Sequence, residues 1–290
     1  MGYSSRYHVA SLAAVFLALA VGILIGAAFG ADVLEDVSKD LEGSLQRDVD
    51  EANAEIASLE SELERQQLFS ETIYPALVNN ELAGRSIALV AFGERPDAIR
   101  DDVIGALGPS GATLSQLAVV REPPDVGALS ALLPGRARGA ERELKRASQA
   151  ARRAGAALVD GKAFFDRARD SLLSSFSGAS GPVDGVIVTR MRPDLEPRVV
   201  AACERLETSF IDGLEMGRVP VVGAERTDAD PPSVGFFDSL GLTTLDDVDL
   251  VAGRVALVYA LGGAQGNFGV GEEADELVPP LLEPGGRSGP

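Results

Sequence analysis

The feature that most constrains this chain is an uncharged segment near its N-terminus, Val9–Phe29. A helix of that length, at about 1.5 Å rise per residue, spans roughly 30 Å, the hydrocarbon thickness of a bilayer. Arg6 precedes the segment, whereas Asp32 and further acidic residues follow it. Because positive charge favours the cytoplasmic side, we predict cytoplasmic residues 1–8, a single-pass transmembrane helix over 9–30 and an extracytoplasmic remainder.

The alternative to an anchor is a cleaved signal peptide, since Ala28, Phe29 and Gly30 resemble a small-residue cleavage site. The apolar region of a signal peptide usually has about 7–15 residues, which is shorter than the segment found here. We therefore favour a helix that stays in the cell membrane and tethers the rest of the chain.

Small residues recur at every fourth position along the predicted transmembrane helix. This spacing places them on one face, where the backbone of another helix can approach closely. The alternative is that transmembrane helices are rich in Ala and Gly for reasons of composition alone. We predict helix association through this face, which consists of Ala10, Ala14, Ala18, Gly22, Gly26 and Gly30.

Residues 31–75 are predicted to form a helical stalk, since 31–72 contain no Pro and only one Gly. Apolar or small residues are spaced by 4, 3, 4, 3 and 4 positions, which is a heptad seam typical of a coiled coil. The alternative is a lone helix that folds back on the domain. We favour a parallel homodimer or a higher homo-oligomer, with the seam formed by Leu45, Val49, Ala52, Ile56, Leu59 and Leu63.

Residues 84–262 are predicted to form an extracytoplasmic α/β domain. Apolar runs of strand length alternate there with helical patterns, which favours a small, doubly wound, mainly parallel sheet with helices on both faces. The predicted strands are Ser86–Phe92, Leu117–Val120, Val183–Thr189 and Val219–Gly223. The predicted helices are Pro96–Leu107, Arg142–Ala157, Lys162–Phe176 and Asp194–Leu214.

The last part of the chain is harder to assign. Leu250–Leu261 fits either a strand or a helix, and we predict a closing helix entered from the acidic turn at residues 246–249. Residues 263–290 are rich in Gly, Pro and Glu and are predicted to be a disordered tail.

The overall charge limits the partners of the chain, which has 44 acidic and 26 basic residues. Duplex binding requires a basic surface that displaces counterions, so nucleic acid is not an expected partner. The single cysteine, Cys203, excludes an internal disulfide. The expected partners are the membrane, further copies of the chain and an envelope protein.

Copper sites in proteins use Cys, Met and His side chains. Beyond the predicted membrane segment the chain has Cys203, Met191 and Met216 and no histidine. Cys203 falls in an apolar helical series and is interpreted as a buried structural residue, and the two Met residues as packing residues. His8 lies at the cytoplasmic edge of the anchor, where interfacial positioning is the alternative to a functional role. The residues alone therefore define no metal site.

Signatures of enzymes are weak in this sequence. Without an extracytoplasmic histidine, a Ser-His-Asp or Cys-His nucleophile is excluded there. The loop Gly93–Pro96 after the first predicted strand matches neither a dinucleotide fingerprint nor a phosphate loop. We expect no catalytic residue and no cofactor. The remaining enzyme alternative is a hydrolase with two carboxylates about 5–10 Å apart in a deep pocket.

Two local clusters of charge stand out. Asp246, Asp247 and Asp249 have oxygen ligands that suit a hard cation, but they lack the spacing of a calcium loop, and a helix N-cap is the preferred interpretation. Residues 136–153 suit an acidic partner or an anionic wall polymer, the alternative being a solvated helix face. The basic residues of this segment are Arg136, Arg138, Arg142, Lys145, Arg146, Arg152 and Arg153.

Two motifs resemble a family of actinobacterial envelope proteins named for the mycobacterial copper transport protein MctB. The first is the opening YHVASLAAVFLALAVGILIG, with His8 and Ser11 before the apolar run. The second is LTTLDDVDLVAGRVALVYAL, residues 242–261, with Asp246, Asp247, Asp249, Gly253 and Arg254; Leu245 replaces the usual Val. The resemblance extends to envelope proteins linked to cell separation, such as SteB.

The resemblance implies copper export or copper homeostasis at the cell envelope, with copper as the associated metal. The alternative function is a non-enzymatic scaffold or adaptor that recruits a cell-wall or cell-separation partner through the α/β domain. High Cu(I) affinity would favour the first function, whereas its absence together with a co-purifying envelope partner would favour the second.

Overall fold

The computed structural model describes residues 5–136, 138–192 and 194–280, without the side chains of residues 5, 6, 28–40 and 42. The chain divides into two compact units, residues 1–69 and 70–290. Predictions that concern residues 1–4 and 281–290, and the surroundings of Gly30, lie outside the described part.

The described part of the first unit is helical and belongs to α1, which spans Ser5–Val78. Its segment Tyr7–Ala27 has a mean hydropathy of 2.6 and is not buried by any other part of the chain. A helix of this length and composition is sufficient to cross a bilayer. The predicted N-terminal apolar helix is therefore confirmed.

The second unit is built on a seven-stranded sheet with the order β3-β2-β1-β4-β5-β6-β7. The strands are β1 (Ser86–Gly93), β2 (Thr113–Val120), β3 (Leu173–Gly178), β4 (Gly185–Met191), β5 (Val221–Ala224), β6 (Thr243–Leu245) and β7 (Asn267–Phe268). The helices are α2 (Asp97–Ser110), α3 (Val126–Ala131), α4 (Ala140–Val159), α5 (Ala163–Leu172), α6 (Pro197–Glu215), α7 (Val234–Ser239) and α8 (Val251–Gly262). The neighbouring strands pair in parallel except β2 and β3.

Side chains of the central strand alternate between two apolar clusters. Val90 and Phe92 of β1 pack with residues of α4 and α6, whereas Ile87 and Leu89 pack with residues of α2 and α8. A strand that is buried on both faces has apolar residues at successive positions. For this reason β1 and β4 could be recognised from the sequence. The predicted mixed α/β domain with a mainly parallel sheet is confirmed, as is the closing helix, found as α8.

The last turns of α1 belong to the core of the second unit. Tyr74, Val78 and Leu82 are buried, and the Tyr74 hydroxyl donates to the Ala106 carbonyl at 2.7 Å. The predicted stalk, which ends at residue 75, includes Tyr74, whereas Val78 and Leu82 lie before the predicted start of the domain at residue 84. The compact unit begins instead at Ser70, because apolar positions there pack on α2 and α8.

Two local predictions are wrong. The predicted helix over 162–176 ends at Leu172, and Leu173–Gly178 forms the antiparallel edge strand β3. The tail from residue 263 is ordered as far as the structure describes it, to residue 280. Phe268 of β7 is buried beside β6, and Asp246 binds the backbone of Val270 and Gly271. Tertiary contacts therefore order a segment whose composition is typical of disorder.

Candidate functional site

A polar cleft of about 480 Å³ lies at the carboxyl ends of β1, β4 and β5. From β1 the chain proceeds to β2 on one side of the sheet, and from β4 it proceeds to β5 on the other side. Such a reversal leaves a crevice between the two strands, and open α/β sheets bind ligands at this position. Glu94 follows β1, Thr189 and Met191 end β4, and Glu225 follows β5.

The arginines of this cleft already have carboxylate partners. Arg95 pairs with Asp97 at 3.4 Å, and Arg226 pairs with Asp228 at 3.0 Å and also with Asp102. The cleft therefore has mixed charge, and it does not present a row of unpaired cations to an anionic ligand.

Two further arginines that line the cleft belong to a largely buried charge network. Arg190 and Arg192 follow each other along the end of β4, and each contacts Glu204 at 3.2 Å and also Glu207, both on α6. Arg192 also lies 3.4 Å from Glu122, which follows β2. The side chains of Glu122 and Glu207 are each only 2% exposed. Three separate segments thus meet in one network.

Burial, together with the neighbouring Glu122 carboxyl, raises the pKa of Glu207 despite the two arginines. Oε1 of Glu122 is buried and has no hydrogen-bond partner among the described residues, and Oε2 of Glu207 lies 3.1 Å from Nε of Arg190. A proton held by Glu207 would join the two carboxyls and reduce their repulsion.

The Cys203 thiol lies beside this network and is buried. Burial, with the nearby Glu122 carboxylate, raises its pKa to about 12. The adjoining cavity has a volume of about 10 Å³, which is room for one water and not for a sugar ring. The buried pair Glu122 and Glu207 therefore does not supply the deep pocket that a paired-carboxylate hydrolase requires.

The acidic turn before α8 ties three segments together. Asp246 accepts hydrogen bonds from the Val270 and Gly271 amides at 2.8 Å each, which holds the tail. Asp249 accepts from the Thr227 amide at 2.8 Å and from its hydroxyl at 2.7 Å, which holds the loop after β5. The predicted N-cap is wrong, because the capping residue of α8 is Leu250 and no side chain caps this helix.

Asp247 is fully buried, and neither of its carboxylate oxygens has a hydrogen-bond partner among the described residues. Burial and the charges of Asp246 and Asp249 raise its pKa to about 7. Gly253 lies directly against it: a Cβ at that position would be 2.1 Å from the Asp247 carbonyl oxygen. The close approach explains why glycine occupies this position of α8.

Arg254 connects α8 with the end of α1. Its guanidinium donates to both carboxylate oxygens of Glu71, and it also donates to the Asp249 carbonyl at 3.1 Å. The residues of the second sequence motif therefore have identifiable structural roles in joining α1, α8, the β5 loop and the tail.

Met191 lies at the cleft with an exposed side chain, so its interpretation as a packing residue is wrong, and the same holds for Met216. Met216 is exposed at the end of α6, and Cys203 is buried as predicted. The described residues contain no group of three or more His, Cys, Asp or Glu that could hold a metal ion.

The predicted association residues of the first unit are exposed wherever the structure describes them. In the anchor these are the small residues of the association face from Ala10 to Gly26, and in the stalk they are the seam residues. His8 and Ser11, which belong to the first family motif, are exposed as well. Leu45, Ile56 and Leu59 of the seam are each more than half exposed. An exposed apolar stripe of this kind can pack against a second chain, and this association stays a prediction.

Sequence reasoning missed the cleft and its charge network. Arg190, Arg192 and Glu207 are separated along the chain from Glu122, and no periodic pattern relates them. The one usable signal was the pair of arginines after an otherwise apolar strand, which indicates a polar site at the strand end.

An N-terminal helix long and apolar enough to cross a membrane, together with an α/β domain that carries a polar cleft, is the arrangement of a membrane-associated or envelope protein. A family model for the copper transport outer membrane protein MctB matches residues 3–279, and the chain belongs to this family. The chain is 25% identical to copper transporter MctB of Mycobacterium bovis (strain ATCC BAA-935 / AF2122/97), over 93% of this chain and 97% of the relative. The same values hold for copper transporter MctB of Mycobacterium tuberculosis (strain ATCC 25618 / H37Rv).

Proposed function

We propose that this chain is a single-pass envelope protein with a role in copper export or copper homeostasis, and that its α/β domain lies outside the cytoplasm. The observation that carries the proposal is the family match, which extends from the apolar helix to the ordered tail. The charge asymmetry around the anchor supports the orientation, since Arg6 precedes the helix and acidic residues follow it.

A direct role in copper handling has a measurable consequence. Cells that lack this chain should accumulate more copper at a given external concentration and should tolerate copper less well. The full-length chain supplied in trans should restore both properties, and total cell copper is measured by mass spectrometry. Unchanged copper content and unchanged tolerance in the deletion strain would overturn the proposal.

Copper affinity distinguishes a carrier of copper from a scaffold. Because the described residues hold no cluster of metal ligands, we expect the detergent-solubilised full chain to bind Cu(I) weakly. Competition with a chromogenic Cu(I) chelator measures this affinity. Submicromolar binding would instead indicate a ligand set assembled between chains. Three results together would favour the adaptor function: weak Cu(I) binding, unchanged copper content and tolerance in the deletion strain, and a co-purifying envelope partner.

The orientation can be tested on spheroplasts. Protease added from outside should digest the domain and stalk and leave a short protected fragment that contains Tyr7–Ala27. Survival of the whole chain would place the domain in the cytoplasm. Release of a chain that lacks its first thirty residues would identify a cleaved signal peptide.

We further propose that the stalk forms a parallel coiled coil. Chains anchored in the same membrane with the same orientation extend in the same direction, so that identical seam residues face each other. Exposed leucines at heptad spacing supply the apolar contact. The domain itself is proposed to be non-enzymatic and doubly wound, in agreement with its two apolar clusters on opposite faces of the sheet.

Cysteine cross-linking tests the stalk arrangement directly. In a Cys203→Ser background, Ala52→Cys at the seam should form an intermolecular disulfide with its copy, because seam residues of a parallel dimer lie within bonding distance. Ala54→Cys, on the outer face of the same turn, is the matched control and should cross-link far less. Equal cross-linking at both positions would contradict the predicted seam.

A further inference from the structure

One face of the domain carries cations without partners. Helix α4 buries a row of alanines and exposes Arg142, Lys145, Arg152 and Arg153, and α5 exposes Arg167 beside it. Among the described residues, none of these five side chains has a carboxylate within 4.0 Å. We refer to these five residues as the α4–α5 basic face.

The clustering of these cations stands out because the net charge of the whole chain is −18. Exposed arginines elsewhere in the domain, such as Arg95 and Arg205, are paired with carboxylates. The α4–α5 basic face is therefore a local excess of positive charge on an acidic protein. Because the Debye length is about 8 Å at physiological salt, carboxylates farther away are largely screened from it.

Not all cations of the basic segment belong to this face. The Arg146 guanidinium turns inward and donates to the carbonyls of Ser130, Leu133, Pro134 and Gly135. It therefore closes the loop between α3 and α4 and has a structural role. The sequence alone did not separate this arginine from its exposed neighbours.

Two cations of the face converge on one aromatic ring. The guanidinium carbon of Arg153 lies 4.6 Å from the centroid of the Phe164 ring, and that of Arg167 lies 5.4 Å from it. Contact with the ring orders each guanidinium while its N–H groups stay available. Two like charges no more than about 10 Å apart repel each other, and an anion between them would remove the repulsion.

The arrangement along α4 has the dimensions of an extended ligand. Arg142 and Arg153 are eleven residues apart, which corresponds to roughly 16 Å along the helix axis. A single small anion would contact only one or two of these cations. A polymer with charges along its length would contact them in succession.

We propose that the α4–α5 basic face binds an extended polymer that carries phosphate groups. Guanidinium groups pair with phosphate through two parallel hydrogen bonds, and four of the five cations are arginine. The inference is independent of the role in copper homeostasis, because it uses neither the cleft nor a metal ligand.

The test is binding of the full-length chain in detergent to long-chain inorganic polyphosphate, measured as a function of salt. The triple variant Arg142→Ser, Arg152→Ser and Arg153→Ser should bind at least ten-fold more weakly. The slope of log affinity against log salt should become less steep by about two to three, since each phosphate contact contributes about 0.7–0.9. Far-ultraviolet circular dichroism and thermal unfolding establish that the variant is folded.

The matched control removes the same number of charges elsewhere, through Arg47→Ser, Arg65→Ser and Arg198→Ser, which are exposed positions outside the face. This control should bind polyphosphate as the wild type does. The proposal would be overturned if both triple variants lost polyphosphate affinity equally, or if the α4 triple variant lost none. A carboxylate polymer or vesicles of anionic phospholipid that bind the wild type more tightly than polyphosphate would also overturn it, by assigning the face to a different class of partner.

Discussion

The guanidinium of Arg254 donates two hydrogen bonds to the carboxylate of Glu71, at 3.1 and 3.3 Å, and so joins α8 to the last turns of α1. The two residues are 183 positions apart in the chain. Tyr259 strengthens the same junction, since its hydroxyl donates to the Leu77 carbonyl at 3.1 Å. The end of the stalk helix is therefore a structural part of the α/β domain.

The ion pair between Glu71 and Arg254 should contribute modestly to stability, because Glu71 is about half exposed. A double-mutant cycle with Glu71→Gln and Arg254→Gln should show a coupling free energy of about 0.5–1 kcal/mol in urea unfolding. The exposed pair Glu62 and Arg65 of the stalk is the control, and no measurable coupling is expected there. A coupling indistinguishable from the control would mean that the junction depends on apolar packing alone.

Gly253 should be far less tolerant of substitution than other helical glycines. In Gly253→Ala the new Cβ would lie 2.1 Å from the Asp247 carbonyl, and relief requires a backbone shift, so we expect a loss of about 2–3 kcal/mol. Gly105→Ala in α2 is the matched control. No atom lies within 4 Å of its new Cβ, and the higher helix propensity of Ala should stabilise by about 0.5–1 kcal/mol. Thermal unfolding measures both changes, and equal effects would contradict the close approach.

The buried Asp247 should make stability fall as pH rises. Its pKa is about 7 in the folded chain, compared with an ordinary value of 3.8, so between these pH values the folded state holds a proton that the unfolded state has released. The free-energy cost of ionising the buried Asp247 carboxyl is absent below about pH 4 and fully present above about pH 7. Asp247→Asn lacks this ionisation, so its stability relative to the wild type should rise by about 2–4 kcal/mol between pH 4.5 and pH 8.

Asp249→Asn provides a control of opposite sign. Hydrogen bonds from Thr227 hold the pKa of Asp249 below its ordinary value even though burial acts to raise it. The ionised carboxylate therefore stabilises the fold at neutral pH, and this contribution is lost as pH falls through the folded-state pKa. The Asn variant should be less stable than the wild type at pH 7 and should approach it in strong acid. If the stabilities of the two variants relative to the wild type changed in the same direction with pH, the opposite pKa shifts assigned to Asp247 and Asp249 would be refuted.

Cys203 should be unreactive in the folded chain. With a pKa of about 12 and almost no exposure, it has a thiolate fraction at pH 8 of roughly one in ten thousand. Alkylation by iodoacetamide should therefore be at least about a thousand-fold slower than for a free cysteine and should become rapid in urea. Ser239→Cys in a Cys203→Ala background places a thiol at an exposed position and should react quickly without denaturant. Fast labelling of native Cys203 would show that α6 opens.

The sequence by itself determined the features that depend on local periodicity or composition. The uncharged segment Val9–Phe29 predicted an apolar helix, and the continuous apolar runs predicted β1 and β4, because a strand buried on both faces needs apolar residues at successive positions. The motif around Gly253 and Arg254 led to the family. Each of these signals is contained within about twenty neighbouring residues.

Only the tertiary structure decided how polar residues from distant segments meet. Arg192 and Glu207 pair beside the cleft, Asp246 orders a tail whose composition predicted disorder, and Arg146 turns inward while Arg153 stays exposed. A charged side chain has no period that reveals its partner, because its position is set by the packing of the sheet and helices around it. The free energy of such a contact depends on burial and distance, and both exist only once the chain has folded.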